Sequence, residues 1–545
     1  MKHYLSIFKD TVRTKWEKPA LSDYNGATYT FAHIATDIKR IHAIFAGLGI
    51  QPGDKVAVAA KNSAHWAIVF LATATYRAVV VPILNDFLPA DIATLTDHSE
   101  TKVLFTEAKM WENMPIEKMP NLLAAVNTDD FSALYSRKEG LLESIINENN
   151  KHIPEVYGES LKNEATDYVI GDLDDLAVIN YTSGTTSSPK GVMLTSRNIS
   201  SNVEFGLNRI PVQEGDTLMS MLPMAHMYGM AFEFLYPLSG GAHVYFLGKT
   251  PTPTILLKAL ADIKPYLFIT VPLVLEKIFK GKVMPTLEKP AMRIATSIPG
   301  IRNLIYGKVR KTLLATFGGN IRSIVIGGAA ISRPVEVVMR KVGLPYTVGY
   351  GMTECAPLIG YEPWDTFCLG SAGRAVDNVD VRIDSTDPAK VVGEIQVKGD
   401  NVMLGYYKNP EATAAVFTED GYLRTGDLGI IDAKGNIFIR GRSKCMILTA
   451  NGQNIYPEEI ESKLNSLPYV AESLIVEREK RLVALVAVAE SADGLSKEEL
   501  AAAMEQNRKD LNAQLPAYSQ VLGVEIMEQG FEHTPKRSIK RFLYK

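Results

Sequence analysis

The stretch FAHIATDIKRIHAIFAGLGIQPGDKVAVAA, residues 31–60, sets the fold class. Its apolar residues Phe31, Ile34, Ile38, Ile41 and Phe45 recur at helical spacing, Gly47 and Gly49 end the pattern, and GDKVAVAA then reads as a buried strand. A helix feeding a buried strand is the alternation of an α/β protein. The same texture returns in residues 322–327, RSIVIG, and in residues 344–351, LPYTVGYG, where strands run into glycine turns. Ligands of open α/β sheets gather beyond the carboxyl ends of strands, so these two turns are the first places to look for a site. Residues 66–76, WAIVFLATATY, form the longest apolar stretch. It is shorter than the ~20 residues needed to cross a bilayer and reads as a buried helix.

Further along, the texture changes. After about residue 375, period-two runs such as DVRI, GEIQVKG and NIFIRGR alternate with Asp, Pro and Gly, the pattern of an antiparallel β subdomain. Beyond Arg442 a compact α+β unit is expected. Pro457 and two glutamates open a helix, SLIVERE and RLVALVAVAE read as a hairpin, and Ser496 with Glu499 forms a capping box for a helix running to about Asn512. These features place a boundary near 441–445, giving a large unit 1–441 and a small C-terminal unit 442–545. Residues 151–175 are polar enough to read as a surface linker.

Composition narrows the class. A chain of 545 residues needs more than one core, and its 46% apolar and 22% charged residues are those of a globular protein. A net charge of −3 provides no global field for nucleic acid. The three cysteines, Cys355, Cys368 and Cys445, form neither a disulfide framework nor a zinc spacing, which fits a reducing compartment. The amino-terminal residues break their apolar positions with charge, unlike a signal peptide, so a cytoplasmic location is expected.

Residues 181–191, YTSGTTSSPKG, carry the clearest chemistry: six of the eight residues 181–188 are Ser or Thr, and Lys190 follows. Hydroxyls, backbone donors and one cation suit a polyphosphate. The spacing from Gly184 to Lys190 imitates a Walker A loop, but Pro189 and Gly191 replace its glycine and its magnesium-binding hydroxyl. Glycines at 327 and 328 allow backbone to approach a base, Tyr350 offers an aromatic face, and the Asp427 carboxylate can accept from two ribose hydroxyls. Residues 219–230 hold five of the 18 methionines, an adaptable apolar wall suited to an acyl tail.

YTSGTTSSPKG resembles the phosphate loop of the adenylate-forming superfamily of acyl-CoA synthetases, luciferases and peptide-synthetase adenylation domains. The later motifs follow in that family's order: GYGMTE at 349–354, YLRTGDLG at 422–429, the hinge GRSK at 441–444 and NGQNIYPEEIE at 451–461. The resemblance spans about residue 25 to the C-terminus. PLVLEKIF at 272–279 and GYGMTECAP are most similar to long-chain fatty acid–CoA ligases. It implies a large α/β domain with an antiparallel β subdomain and a small mobile α+β domain. It also implies ATP and Mg2+ as cofactors, and a fatty acid and CoA as further substrates.

By the same resemblance, Thr182, Ser183, Gly184, Thr185, Thr186 and Lys190 hold the β- and γ-phosphates. Gly327, Gly328, Ala329, Tyr350 and Gly351 receive the adenine, Thr353 contacts the α-phosphate, and Glu354 holds the metal. Asp427 meets the ribose, Arg442 makes a second ribose or phosphate contact, His226 lies near the reacting carboxylate, and Met224, Met227 and Met230 line the acyl tail. Lys444 is the hinge, and Gly452 borders the path of CoA. One departure stands out: the family's adenylation lysine falls on Ser538 in TPKRSIK, so Lys536 or Lys540 would have to reach in, with Lys540 favoured. Cys445, where many relatives have aspartate, reads as a packed residue.

Three readings follow: a long-chain fatty acid–CoA ligase, a ligase loading a carrier protein, or a nucleotide-binding sensor that has lost turnover. Oligomeric state is left open, a homodimer being one alternative, as is peripheral contact with the inner face of a membrane. All readings require the turn around Lys190 and the acid at Glu354 to face one triphosphate site.

Overall fold

Thr30 caps the helix Phe31–Gly47 by accepting from the His33 N–H, while its own N–H donates to His33 Nδ1, so the helix begins where its apolar pattern does. The strand Lys55–Ala59 follows, and Ser63 then caps Ala64–Thr75, a helix buried on nearly every face. The computed structural model describes residues 1–182, 190–249, 251–448, 454–478, 481–516, 519–533 and 539–544.

Two large sheets organise the chain. The first runs, in spatial order, 405–406, 190–195, 176–182, 79–82, 55–59, 101–106, 124–127 and 133–136, with a parallel centre. The second runs 346–348, 323–326, 267–270, 217–220, 243–246, 19–23 and 28–30, parallel except at its last pair. One hydrophobic cluster joins Val56, Val58 and Val80 of the first sheet with Leu218 and Val244 of the second, through Trp66 and Phe70 of the buried helix. The period-two region forms the antiparallel sheet 379–384, 393–399, 423–431 and 437–442, as its alternation predicts. The architecture is α/β, with an added antiparallel β sheet and a C-terminal α+β unit.

That C-terminal unit has its own cores, built from Ile460, Leu464, Ile475 and Met504 on one face of its sheet and Leu474, Leu485 and Phe531 on the other. The hairpin pairs Val470–Arg478 with Arg481–Val488, and the Ser496 capping box opens Lys497–Asn512. Residues 151–175 are not simply a linker. Tyr157, Ala165, Thr166 and Tyr168 are buried, and Arg13 of the first helix donates to Thr166 Oγ1 at 2.8 Å. Polar composition hid this packing because the apolar residues there are few and irregularly spaced. Among the described residues no helix is long and apolar enough to cross a membrane.

Candidate functional site

Strands Ser323–Ile326 and Tyr346–Val348 are parallel neighbours, so their carboxyl ends bring Gly327, Gly328 and Ala329 beside Tyr350 and Gly351. Gly328 has φ +85°, a left-handed conformation that favours glycine. At Gly327 the constraint is space, since a Cβ would lie 2.9 Å from the Tyr228 ring, whose hydroxyl donates to the Val325 carbonyl at 3.2 Å. Tyr350–Gly351 then pairs with Leu358–Tyr361, and the tight turn Thr353–Cys355 presents Glu354.

Lys190 starts the strand Lys190–Thr195, and the short strand Gly405–Tyr406 lies against it. This places the Tyr406 ring under the Lys190 ammonium, 4.7 Å from Nζ to the ring centroid. The Tyr406 hydroxyl donates to Glu354 Oε1 at 3.0 Å. Burial and the neighbouring Glu354 charge raise the Tyr406 pKa, so the phenol stays a proton donor. Lys190 and Glu354 therefore meet across a single side chain.

Asp427 faces Arg442 in the register of its antiparallel sheet. Its Oδ2 accepts from the Tyr350 hydroxyl at 2.8 Å, and its Oδ1 lies 3.2 Å from Arg442 Nε. Burial holds the Asp427 carboxyl above the ordinary carboxylate range, an effect opposed by Arg442 and Tyr350. A carboxylate has about four acceptor sites, so these two donors leave Asp427 with capacity to accept further hydrogen bonds at the cavity it borders.

Lys190, Glu354 and Asp427 all line one cavity of about 3310 Å³, much larger than the ~300–1,000 Å³ of a typical small-molecule site. Thr182, Gly327, Gly328, Ala329, Gly351 and Thr353 also border it, as do His226, Arg442 and Lys444. Its other arm is walled by Phe232, Leu256, Ile269, Val283, Val309 and Leu313. Lys540 reaches the wall from the C-terminal unit, its ammonium 3.2 Å from Glu532 Oε2, while the adjacent Arg541 pairs with Glu461.

The AMP-binding enzyme family matches residues 8–407, and its C-terminal domain family matches residues 445–544. The chain belongs to the AMP-binding enzyme family. Within the adenylate-forming superfamily, it is 28% identical over 470 residues to a long-chain-fatty-acid–CoA ligase of Mycobacterium bovis, covering 82% of this chain and 75% of that one. A long-chain-fatty-acid–CoA ligase of Bacillus subtilis is 28% identical over 480 residues, covering 84% and 80%. Among solved structures, an anthranilate–CoA ligase bound to anthranoyl-AMP superposes with TM-score 0.80 at 18% identity, covering 99% and 96%. The o-succinylbenzoate–CoA synthetase of B. subtilis, bound to its acyl-adenylate, superposes with TM-score 0.76 at 22% identity, covering 99% and 98%.

This AMP-binding enzyme departs from the sequence expectations at the methionines. Met227 lines the cavity, but Met224 and Met230 are fully buried and do not reach it. Met224 and Met230 both belong to the main hydrophobic core cluster, and Met230 lies in the helical turn that follows the Met227–Gly229 turn. Burying methionine in a core and lining a pocket with it leave the same sequence pattern. Cys445, expected to be packed, is only half-buried and borders the cavity, and burial pushes its thiol up to about 11. Ser183, Gly184, Thr185, Thr186, Gly452, Lys536 and Ser538 lie outside the described residues.

A divalent cation fits the donor set at Glu354. Magnesium is typically held by one or two carboxylates together with substrate phosphates and water, and the Glu354 carboxylate borders the cavity, linked through Tyr406 to the Lys190 cation. Sequence reasoning missed Tyr406 and Glu233. Glu233 is fully buried, and its Oε2 accepts from Ser220 Oγ and the N–H groups of Met221 and Leu222. Burial raises its carboxyl to about 8. It thereby braces the strand end leading into the His226 turn. An isolated glutamate between Phe232 and Phe234 in a methionine-rich run was the available signal.

Proposed function

We propose that this chain is an AMP-forming acid–CoA ligase whose acid is a long-chain fatty acid. The observation that carries this reading is the continuity of one cavity from Lys190, Glu354 and Asp427 to the apolar walls at Ile269, Val309 and Leu313. A polyphosphate end and a hydrocarbon end in one space suit a reaction between ATP and a lipid carboxylate. Each buried methylene favours binding by ~0.8 kcal/mol, which ranks long acids above short ones where the wall is apolar. The names of the M. bovis and B. subtilis relatives support the same substrate class.

A carboxylate is a poor acyl donor because its oxygen is a poor leaving group. In the first half-reaction that oxygen attacks the α-phosphorus of ATP, the α–β phosphoanhydride bond breaks, and pyrophosphate leaves. In the second, the CoA thiol loses its proton and attacks the acyl carbon, the bond to AMP breaks, and thioester and AMP leave. Lys190 neutralises β- and γ-phosphate charge, Thr353 donates to the α-phosphate, and preorganised donors of this kind supply much of the rate. Asp427, held by Tyr350, accepts from the ribose hydroxyls, with Arg442 beside it. Glu354 and the phosphates would hold Mg2+, which supplies charge neutralisation when bound. His226 borders the reacting carboxylate, and Lys540 supplies the cation that Ser538 cannot. Lys444 is the hinge about which the small unit changes position between half-reactions, bringing Gly452 to the CoA path.

Incubating the protein with ATP, Mg2+, CoA and carboxylic acids of graded length, then identifying products by mass, tests the reading. Long-chain acyl-CoA with AMP and pyrophosphate is the expected result. Pyrophosphate release without a CoA thioester would favour a carrier-protein acceptor. ATP binding without acid-dependent pyrophosphate release would favour a sensor. Separate alanine variants of Lys536, Ser538 and Lys540 identify the adenylation cation, and unchanged adenylation in Lys540→Ala removes Lys540 from that role.

A further inference from the structure

Two consecutive helices, Pro290–Ser297 and Pro299–Thr316, carry a single buried side chain between them, Leu313. Between residues 277 and 311 the sequence has nine Lys or Arg and one Asp or Glu, in a chain whose net charge is −3. Among the described residues only Lys280 of these nine is ion-paired, at 3.5 Å from Glu276. The positive charge is thus concentrated on one surface segment, and the other eight cations have no ion-pair partner among the described residues.

The same segment exposes aliphatic side chains every three or four residues: Ile294 is 68% exposed, Ile298 47%, Ile301 42% and Leu304 76%. Such a cluster is costly in water and marks a contact surface. The next positions along the second helix, Ile305, Lys308, Val309 and Thr312, recur at helical spacing and line the apolar arm of the cavity. Gly281, Lys282 and Thr312 both border the cavity and are exposed, so that arm reaches the surface beside the helices.

We infer that this helical hairpin docks the protein on an anionic lipid bilayer. Ile294, Ile298, Ile301 and Leu304 enter the acyl boundary, and Arg293, Arg302 and the flanking lysines meet phosphate groups, the usual division of an interfacial amphipathic helix. A second copy docking through the same face would oppose nine cations with nine more. An acidic protein would satisfy the cations without requiring Leu304 to protrude. The cavity beside the hairpin then receives an acid directly from the membrane. That delivery rests on the ligase reading, whereas the docking does not.

The test uses full-length protein and two vesicle types, pure phosphatidylcholine and an equal mixture of phosphatidylcholine and phosphatidylglycerol. Sedimentation of the wild type with the mixed vesicles, lost at high salt and absent with the neutral ones, is expected. The double variants Ile301→Ser/Leu304→Ser and Arg293→Glu/Arg302→Glu should each bind the mixed vesicles at least about tenfold more weakly. Circular dichroism and vesicle-free ATP binding should stay at wild-type values in both, which separates lost docking from lost folding. Wild-type protein that ignores anionic vesicles, or double variants that bind them normally, would overturn the inference. So would finding that these residues control self-association or capture of an acidic carrier protein while vesicle binding is absent. Because vesicle binding is read without turnover, its failure is distinct from a failure to form acyl-CoA.

Discussion

Tyr406 acts through two parts of one side chain: its ring lies 4.7 Å from the Lys190 ammonium, and its hydroxyl donates to Glu354 at 3.0 Å. Phenylalanine preserves the first contact and removes the second. A hydrogen bond to a charged group contributes ~1.5–3 kcal/mol, so Tyr406→Phe should lower kcat/KM for acid-dependent pyrophosphate release by about tenfold or more. Tyr406→Leu also removes the ring face and should lose several-fold further. Equal rates for the two variants would eliminate the cation–ring contribution. Glu233 offers a pH test. With a carboxyl at about 8 in the fold against 4.5 ordinarily, the folded chain keeps a proton that the unfolded chain loses in that window, so stability falls as pH rises through it. His42 and His243, lowered to about 4 by burial, give the opposite slope below 6.5, which leaves the interval from 6.5 to 8 to Glu233. Over that interval, urea unfolding should show a decline of about 2 kcal/mol that Glu233→Gln abolishes, its amide oxygen still accepting from the three donors.

At the scale of elements, the turn joining Tyr350–Gly351 to Leu358–Tyr361 decides where Glu354 points. A Cβ on Gly351 would lie 2.2 Å from the Pro357 carbonyl oxygen, so Gly351→Ala must separate the two strands. The expected cost is ~1–3 kcal/mol in the denaturant midpoint, with a larger loss of pyrophosphate release because Glu354 moves with the turn. Retained activity with lowered stability would show that the turn adapts without displacing the carboxylate. Such elements were legible in the sequence where their signals are local. The helix Phe31–Gly47, the strand Lys55–Ala59 and the Ser496 capping box each follow from residues within a few positions of one another. Tyr406 was not legible, because its role arises from a two-residue strand pairing with Lys190–Thr195 across a long span of chain. Met224 and Met230 misled for a related reason: composition marks them as apolar, but only the packing decides between core and cavity.

Across the whole molecule, two of the polar contacts that tie the C-terminal unit to the rest join described residues at its edge. Arg440 Nη1 lies 3.3 Å from Glu459, with both side chains about 40% exposed, and Lys280 Nζ donates to the Asn465 carbonyl at 2.8 Å. An exposed pair of this kind contributes ~0–1 kcal/mol, so these ties cost little to exchange for others. The internal pairing of Arg541 with Glu461 stays within the small unit and would travel with it. Lys540 borders the cavity in the present arrangement, as its proposed part in adenylation requires. Lys444 sits in the tight turn Ser443–Cys445, whose helical φ proline can adopt. Proline there would hold φ near −65° and resist the rotation proposed for the second half-reaction. Lys444→Pro should therefore release pyrophosphate within a few-fold of the wild type while forming thioester at least about tenfold more slowly. Lys444→Ala should perform both steps, and thermal melting of the two variants distinguishes a locked hinge from a destabilised unit. If proline slows both half-reactions equally with melting unchanged, residue 444 is not the pivot.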